Sequence, residues 1–380
     1  MNKVRFGVIG TGGVGHIHIG YLKDLPRAEL TCVCDNRAPV VETVARRFGV
    51  QPFTDPGKLI ESGLCDAVLI ATPHFLHPVV GIAAMNAGLH VLTEKPIAVR
   101  TSDADRMIAA ARKNKVKLAV VFQRRLDPLW SQARKIVDSG ALGKLVRTCL
   151  IESWFRPQAY YDSASWRGTW SGEGGGVMMN QSPHSLDALL WLGGMPDKVI
   201  GKVATRAHRI EVEDCATAML TYRNGATGLL HTSTIEFPEP NLFQFVGDSA
   251  VLEVRDGVLR IGTSAPSAGV YVRTATDPWG LPVPAWKEIK VALPPPPHGH
   301  EAIAKNFVDA ILDGAPLAAP GEEAIKSLEL ANAITVSSAL GEEVSLPLKR
   351  KLFDDFLAKK MRTSKGKKDK DADRVVIPGR

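Results

Sequence analysis

The chain has 380 residues, 45% of them hydrophobic and 23% charged, which supplies apolar material for two packed cores and excludes a disordered or fibrous polypeptide. No apolar run reaches 18 residues, so no membrane span is expected. The formal charge of +7 is confined to the stretch from Lys349 to Arg380, with 12 Lys/Arg against 5 Asp/Glu, and the preceding body is neutral without a basic stripe, which excludes nucleic acid as the main partner.

Lys3 to Ile9 is an apolar, partly β-branched run that predicts a buried strand. The turn Gly10-Thr11-Gly12-Gly13-Val14-Gly15 follows, then a helix-compatible segment from His16 to Leu25 and a second strand, Glu29 to Cys34, ending on Asp35. This order is the context that a dinucleotide fingerprint requires. Gly10 permits the tight turn, Gly12 lets a pyrophosphate approach the backbone, and Gly15 lets helix and strand pack closely. The unpaired N–H groups at the helix start favour the anion. Asp35 is placed to accept hydrogen bonds from a ribose diol and to repel a 2′-phosphate, which favours NAD over NADP. Asn36 and Arg37 complete this end of the site, and Arg37 can stack on adenine or pair with a phosphate.

Helical and strand-like stretches then alternate: helices at 39–48, 59–63, 78–87 and 102–113, strands at 66–71, 89–93 and 117–122. The strands end in Thr72-Pro73-His74, in Glu94-Lys95-Pro96 and at Gln123, where ligands gather in open parallel sheets. Residues 1–125 therefore predict a doubly wound parallel α/β domain of Rossmann type. After a helix at 128–139 the rhythm changes to strand-like runs at 146–154, 198–207, 215–222, 227–235, 243–246, 250–255 and 258–261. Asn224-Gly225 and Asp256-Gly257 mark hairpins among them. One helix, 182–192, interrupts these runs.

Residues 126–348 predict an α+β domain with a large, mostly antiparallel, open-faced sheet, whose bare face suggests a homodimer or homotetramer. Pro294 to Pro297 forms a linker, helices follow at about 300–312 and 322–340, and they are expected to reach back to the first domain. A short strand at 343–346 closes the fold. The basic tail, 349–380, is expected to be flexible apart from one helical turn near 352–357. Five scattered cysteines without a CxxC pair, and a first strand that begins by Lys3, point to a reduced, cytoplasmic protein with no secretory signal. The dispersed histidines offer no metal cluster by spacing.

Two stretches could carry chemistry. Pro96 disfavours helix at Lys95, so that lysine sits on a rigid strand end beside the nucleotide turn; the alternative is an ordinary surface charge. The second stretch runs from Gly174 to Asp187. Three consecutive glycines suggest that another chain segment or a ligand passes close by. Ser182 is a good N-cap and Pro183 a good first helical residue. His184 then lies in the first turn, with Asp187 on the same face, and a neutral imidazole there suits a general base; a packed histidine is the alternative. Before the glycines come Arg156, Tyr160, Tyr161, Trp166, Arg167, Trp170 and Glu173, aromatic faces for a sugar ring and polar groups for its hydroxyls.

The GxGxxG turn, the acid ending the second strand, ATPxxxH at 71–77, EKP at 94–96 and GGGVxxNxxxHxxD at 174–187 together resemble the glucose–fructose oxidoreductase/inositol dehydrogenase (Gfo/Idh/MocA) family, in register over about residues 3–346. The resemblance implies an NAD(P)-dependent oxidoreductase acting on a ring hydroxyl of a sugar, cyclitol or glycoside. It implies Lys95 and His184 as catalytic residues, with Asn180 orienting the substrate oxygen. It implies nucleotide contacts from Gly10 through Gly15 and from Asp35, Thr72, Pro73, His77, Glu94 and Gln123, with Arg167 near the cofactor and Tyr161 and Trp166 toward the substrate. The family often has Asp four residues before the histidine where this chain has Asn180, which shifts acid/base duty toward Lys95. Position 74 is His where Asn is frequent. An NAD-retaining glycosidase or epimerase, and a non-catalytic dinucleotide-binding regulator, are the alternative functions.

Overall fold

A computed structural model describes residues 2–238, 241–293 and 295–366. The first half folds as β1 (Val4–Ile9), α1 (Gly13–Asp24), β2 (Ala28–Cys34), α2 (Ala38–Phe48), β3 (Gln51–Phe53), α3 (Pro56–Glu61), β4 (Ala67–Ile70), α4 (Leu76–Asn86), β5 (His90–Thr93), α5 (Thr101–Asn114) and β6 (Leu118–Val120). The strands form one parallel sheet in the order β3-β2-β1-β4-β5-β6, so the order reverses between β1 and β4. The nucleotide turn leaves β1 at that reversal, where a parallel sheet opens a crevice at its carboxyl edge. Among these first-half elements β3 escaped sequence reading, because three residues containing Pro52 give no periodic signal; Pro52 is tolerated because β3 is an edge strand.

The second half adds α6 (Pro128–Asp138), β7 (Leu145–Ser153), α7 (Gln158–Asp162), α8 (Val177–Asn180), α9 (Pro183–Gly193), β8 (Lys198–Ala204), β9 (Cys215–Thr221), β10 (Thr227–Ser233), β11 (Leu242–Gly247), β12 (Ala250–Arg255), β13 (Val258–Thr263), α10 (Ala268–Thr274), β14 (Ala285–Glu288), α11 (Gly299–Leu312), α12 (Gly321–Leu340), β15 (Val344–Ser345) and α13 (Arg350–Thr363). Nine strands make one sheet in the order β14-β13-β12-β11-β7-β10-β9-β8-β15, antiparallel except where β10 runs parallel to β7. α9 and α12 cover one face. On the other, Ile200, Met219 and Leu229 lie side by side in register and 43–56% exposed. Pro294 lies outside the described residues.

The chain returns to the first domain at its end. α11 lays Ile303, Ala304, Phe307 and Val308 into the core under β1, with Phe307 against Phe6 at a ring separation of 6.2 Å. α12 packs on both β8 and α5, and so holds the two sheets in fixed relation.

The basic tail is corrected by α13. Phe353 and Leu357, one helical turn apart, are buried, and Phe356 meets Trp170 edge-on at 5.4 Å. Arg350 bonds Asp105 at 2.7 Å, and Ser102 bonds Asp354 at 2.9 Å. A single apolar stripe suffices to dock a charged helix, whatever its net charge. Residues 367–380 lie outside the described residues.

Candidate active site

The nucleotide turn is built as its glycines require. Gly10 has φ +96°, and a Cβ there would stand 2.5 Å from the Ala71 carbonyl oxygen. A Cβ on Gly15 would strike the Gly10 oxygen, whereas the space over Gly12 is open. α1 starts at Gly13 with no side-chain cap, so its first N–H groups are available to a phosphate. Val14 is 36% exposed in that first turn.

Asp35 accepts from the Thr11 backbone at 3.1 Å and hydroxyl at 3.0 Å, and from the Arg37 backbone and Nε at 3.1 Å each. Burial opposes ionisation here, but the Arg37 and Thr11 hydrogen bonds and the Arg37 charge outweigh it and hold the carboxyl below its usual range. Asn36 is exposed beside it. Further along the crevice, Thr72 Oγ1, Gln123 Oε1 and His184 Nδ1 are buried without a partner among the described residues. Orphaned polar atoms past the ends of β4 and β6 and at the start of α9 fit a dinucleotide lying over them, and these residues would hold it.

β5 delivers Glu94 and Lys95. Burial disfavours the charged Glu94 carboxyl, yet the His18 hydrogen bond at 2.7 Å and the charge of Lys95 hold it down to about 2. Lys95 reaches across the domain boundary, where its Nζ donates to the Asn180 carbonyl oxygen at 2.7 Å. Burial pushes the Lys95 ammonium below its usual range, and the Arg167 charge adds to this against the pull of Glu94. His184 stands in the first turn of α9, its ring edge-on to Phe122 at 5.8 Å. Burial, then the charges of Lys95 and Arg124, push its imidazole well below the usual range, so the ring is neutral. The helix N-terminus predicted a neutral ring, but burial is its main cause.

The glycine run is explained by a neighbouring segment. A Cβ on Gly176 would collide with the Glu213 backbone oxygen, and one on Gly174 with the Val99 side chain. Glu213 Oε1 accepts from the Gly176 and Met178 N–H groups at 2.9 and 3.2 Å, which props the start of α8. Ser182 occupies the N-cap position, but its hydroxyl pairs with Thr232 at 2.6 Å. Asp187 does not serve His184. Its carboxylate receives Arg125 at 2.6 and 2.9 Å in a buried pair.

Two further residues are placed differently from expectation. Tyr161 is 1% exposed with its hydroxyl on Thr234 at 2.9 Å, a core residue and not a sugar contact. Its neighbour Tyr160 is the one at the site, bonded by Arg167 and, at 3.1 Å, by Gln181. His77 is fully buried with both ring nitrogens 2.8 Å from carbonyl oxygens, those of Pro96 and Thr72. It braces the two strand-end loops and has no atom left for a cofactor. Trp166 lies between the Arg167 guanidinium, 4.5 Å away, and His74, 5.4 Å away. Pro73 is exposed on the turn after β4.

Sequence reading also missed His300, which stands 3.9 Å from Glu94 and 5.2 Å, ring to ring, from His18. These three residues come from three elements, α1, β5 and α11, so no spacing in the chain could signal them. An open groove of about 700 Å³ is lined by Arg124, Trp130, Phe243 and Glu288 among others.

Fold and site together define an enzyme, an NAD(P)-dependent oxidoreductase. The profile of an oxidoreductase family with an NAD-binding Rossmann fold matches residues 4–122, and that of the GFO/IDH/MocA C-terminal domain matches residues 130–253. The WlbA dehydrogenase from Bordetella pertussis, solved with NADH and UDP-GlcNAcA, is 31% identical; the match covers 91% of this chain and all of that one, with a TM-score of 0.78. The rhizopine catabolism protein MocA of Rhizobium meliloti is 27% identical over 348 residues, 88% of this chain and 95% of its own. The myo-inositol 2-dehydrogenase of Thermotoga maritima is 29% identical over 245 residues, 60% of this chain and 68% of its own. The chain belongs to the Gfo/Idh/MocA family. No helix among the described residues is long and apolar enough to cross a membrane.

Proposed function

We propose that this protein oxidises a secondary ring hydroxyl of a sugar, cyclitol or glycoside, with NAD preferred over NADP. The observation that carries the reading is the contact of Lys95 Nζ with the Asn180 carbonyl oxygen, which joins the nucleotide domain to the segment leading into His184. Bound NAD supplies the hydride acceptor. Lys95, with its proton affinity reduced by burial, takes the hydroxyl proton as the carbon gives up hydride. His184 offers a neutral imidazole to the same oxygen, and Asn180 orients it. The aromatic wall of Tyr160 and Trp166, backed by Arg167, suits the C–H face of a ring. The ionised Asp35 at the end of β2 supports NAD, because it repels a 2′-phosphate, and Arg37 is bonded to it.

The test is a panel of cyclitols, hexoses, anhydrosugars, glycosides and nucleotide sugars incubated with NAD and with NADP while reduced cofactor is followed at 340 nm. Steady reduction of NAD by one of these classes is the expected result. Aglycone release or isomerisation without accumulated NADH would replace the reading with a redox-neutral one.

A further inference from the structure

Glu173 is 1% exposed and accepts two hydrogen bonds, from the Gly168 backbone N–H at 2.6 Å and from the Asn180 side-chain amide. It lies seven residues before Asn180; burial raises its carboxyl above the usual range, while the Gly168 and Asn180 hydrogen bonds and the charges of Arg167 and Lys95 favour the ionised form. A buried carboxylate is costly to desolvate, and a glutamine would fill the same volume without a charge. Glutamine has one acceptor oxygen and one donor nitrogen, however, and a separate N–H meets each Glu173 oxygen here. Only a carboxylate satisfies both.

The consequence falls on Asn180. Because both Glu173 oxygens accept, Oε2 from Gly168 and Oε1 from Asn180, the Asn180 amide turns its nitrogen to Glu173, which leaves Oδ1 without a partner among the described residues. The main-chain carbonyl of the same residue already holds Lys95. We propose that Glu173 is a positioning residue of the hydride-transfer site, fixing the amide of Asn180 so that its oxygen, and not its nitrogen, meets the substrate hydroxyl. This rests on the dehydrogenase reading above. The pair thus supplies one carboxylate and one amide, with the charge one residue removed from the substrate.

The arrangement predicts a reciprocal swap. In Glu173→Gln, the new amide opposes one of the two donors, and Asn180 flips to present its NH2 group outward. In Asn180→Asp, two carboxylates face each other and one must take up a proton. In the double variant Glu173→Gln/Asn180→Asp, the introduced amide accepts from Gly168 and donates to the introduced carboxylate, so every bond is restored with one direction reversed.

The full chain and these three variants are compared by kcat, by KM for NAD and by melting temperature. Each single variant is expected to lose about tenfold or more in kcat with KM for NAD unchanged within about twofold, and the double variant to recover most of that loss. Asn180→Asp is expected to melt several degrees lower, and Glu173→Gln and the double near wild type. A cycle seen in melting but absent from kcat reduces Glu173 to a structural prop and overturns the proposal, as does a double variant no better than the worse single. If wild-type protein oxidises nothing in the panel, the dehydrogenase reading falls on its own. The positioning role then falls with it: a melting cycle leaves Glu173 and Asn180 as a structural contact, and additive melting losses defeat even that.

Discussion

Arg125 and Asp187 form a buried, two-pronged ion pair, Nη2 to Oδ1 at 2.6 Å and Nε to Oδ2 at 2.9 Å, with both side chains no more than 5% exposed. The arginine stands just past β6 and the aspartate on α9, so the pair pins the helix that carries His184 to the carboxyl edge of the first domain's sheet. Removing one partner strands the other charge away from water. Asp187→Ala is therefore expected to destabilise the protein by roughly 3–5 kcal/mol, measured by denaturant unfolding. A loss below about 1 kcal/mol would mean that water reaches the freed guanidinium.

Lys95→Ala is expected to lower kcat roughly 10²–10⁴-fold, the range for a lost acid/base group. A change under about threefold removes Lys95 from the chemistry. Because burial depresses its proton affinity, oxidation by wild type should rise with pH along a limb below 10.5, where the free amine forms. His184 is already neutral and adds no limb above its usual range. The Lys95→Ala profile should be flat over the same interval.

Glu213 sits fully in the interior, where burial raises its carboxyl to about 7 against 4.5 for an ordinary glutamate. The fold therefore favours the protonated form, and this stabilisation is complete below about pH 4.5 and lost as pH rises through 7. Glu213→Gln abolishes the titration. Relative to wild type, its melting temperature should improve from pH 5 to pH 8, by an amount equivalent to a few kcal/mol, on the order of one to three. A constant offset between the two proteins at all pH values would assign the pH dependence elsewhere.

The bare sheet face bearing Ile200, Met219 and Leu229 is expected to be covered by a second copy, giving a homodimer or homotetramer. Light scattering checks this. Met219→Lys should shift the assembly toward a monomer of about 41 kDa with its fold intact.

Much of the fold was legible because its signals are local. Buried parallel strands read as continuous apolar runs, the turn from Gly10 to Gly15 needs glycines that sequence displays, and Asn224-Gly225 announces a hairpin. The short pieces were not legible, since β3 and α8 owe their form to neighbours. α13 was misjudged because its charge masks two buried residues.

The sequence by itself determined the residue types of the site and their order along the chain: the glycine turn, the acid at 35, the lysine at 95 and the histidine at 184. Tertiary structure alone decided which of them touch. It sent Asp187 to Arg125, turned Tyr161 into the core in favour of Tyr160, closed His77 between two carbonyls and set Glu173 behind Asn180. Backbone preferences act over a few residues, and so leave a trace in the chain. Hydrogen bonds between distant elements depend on where whole sheets and helices come to rest, which no spacing records.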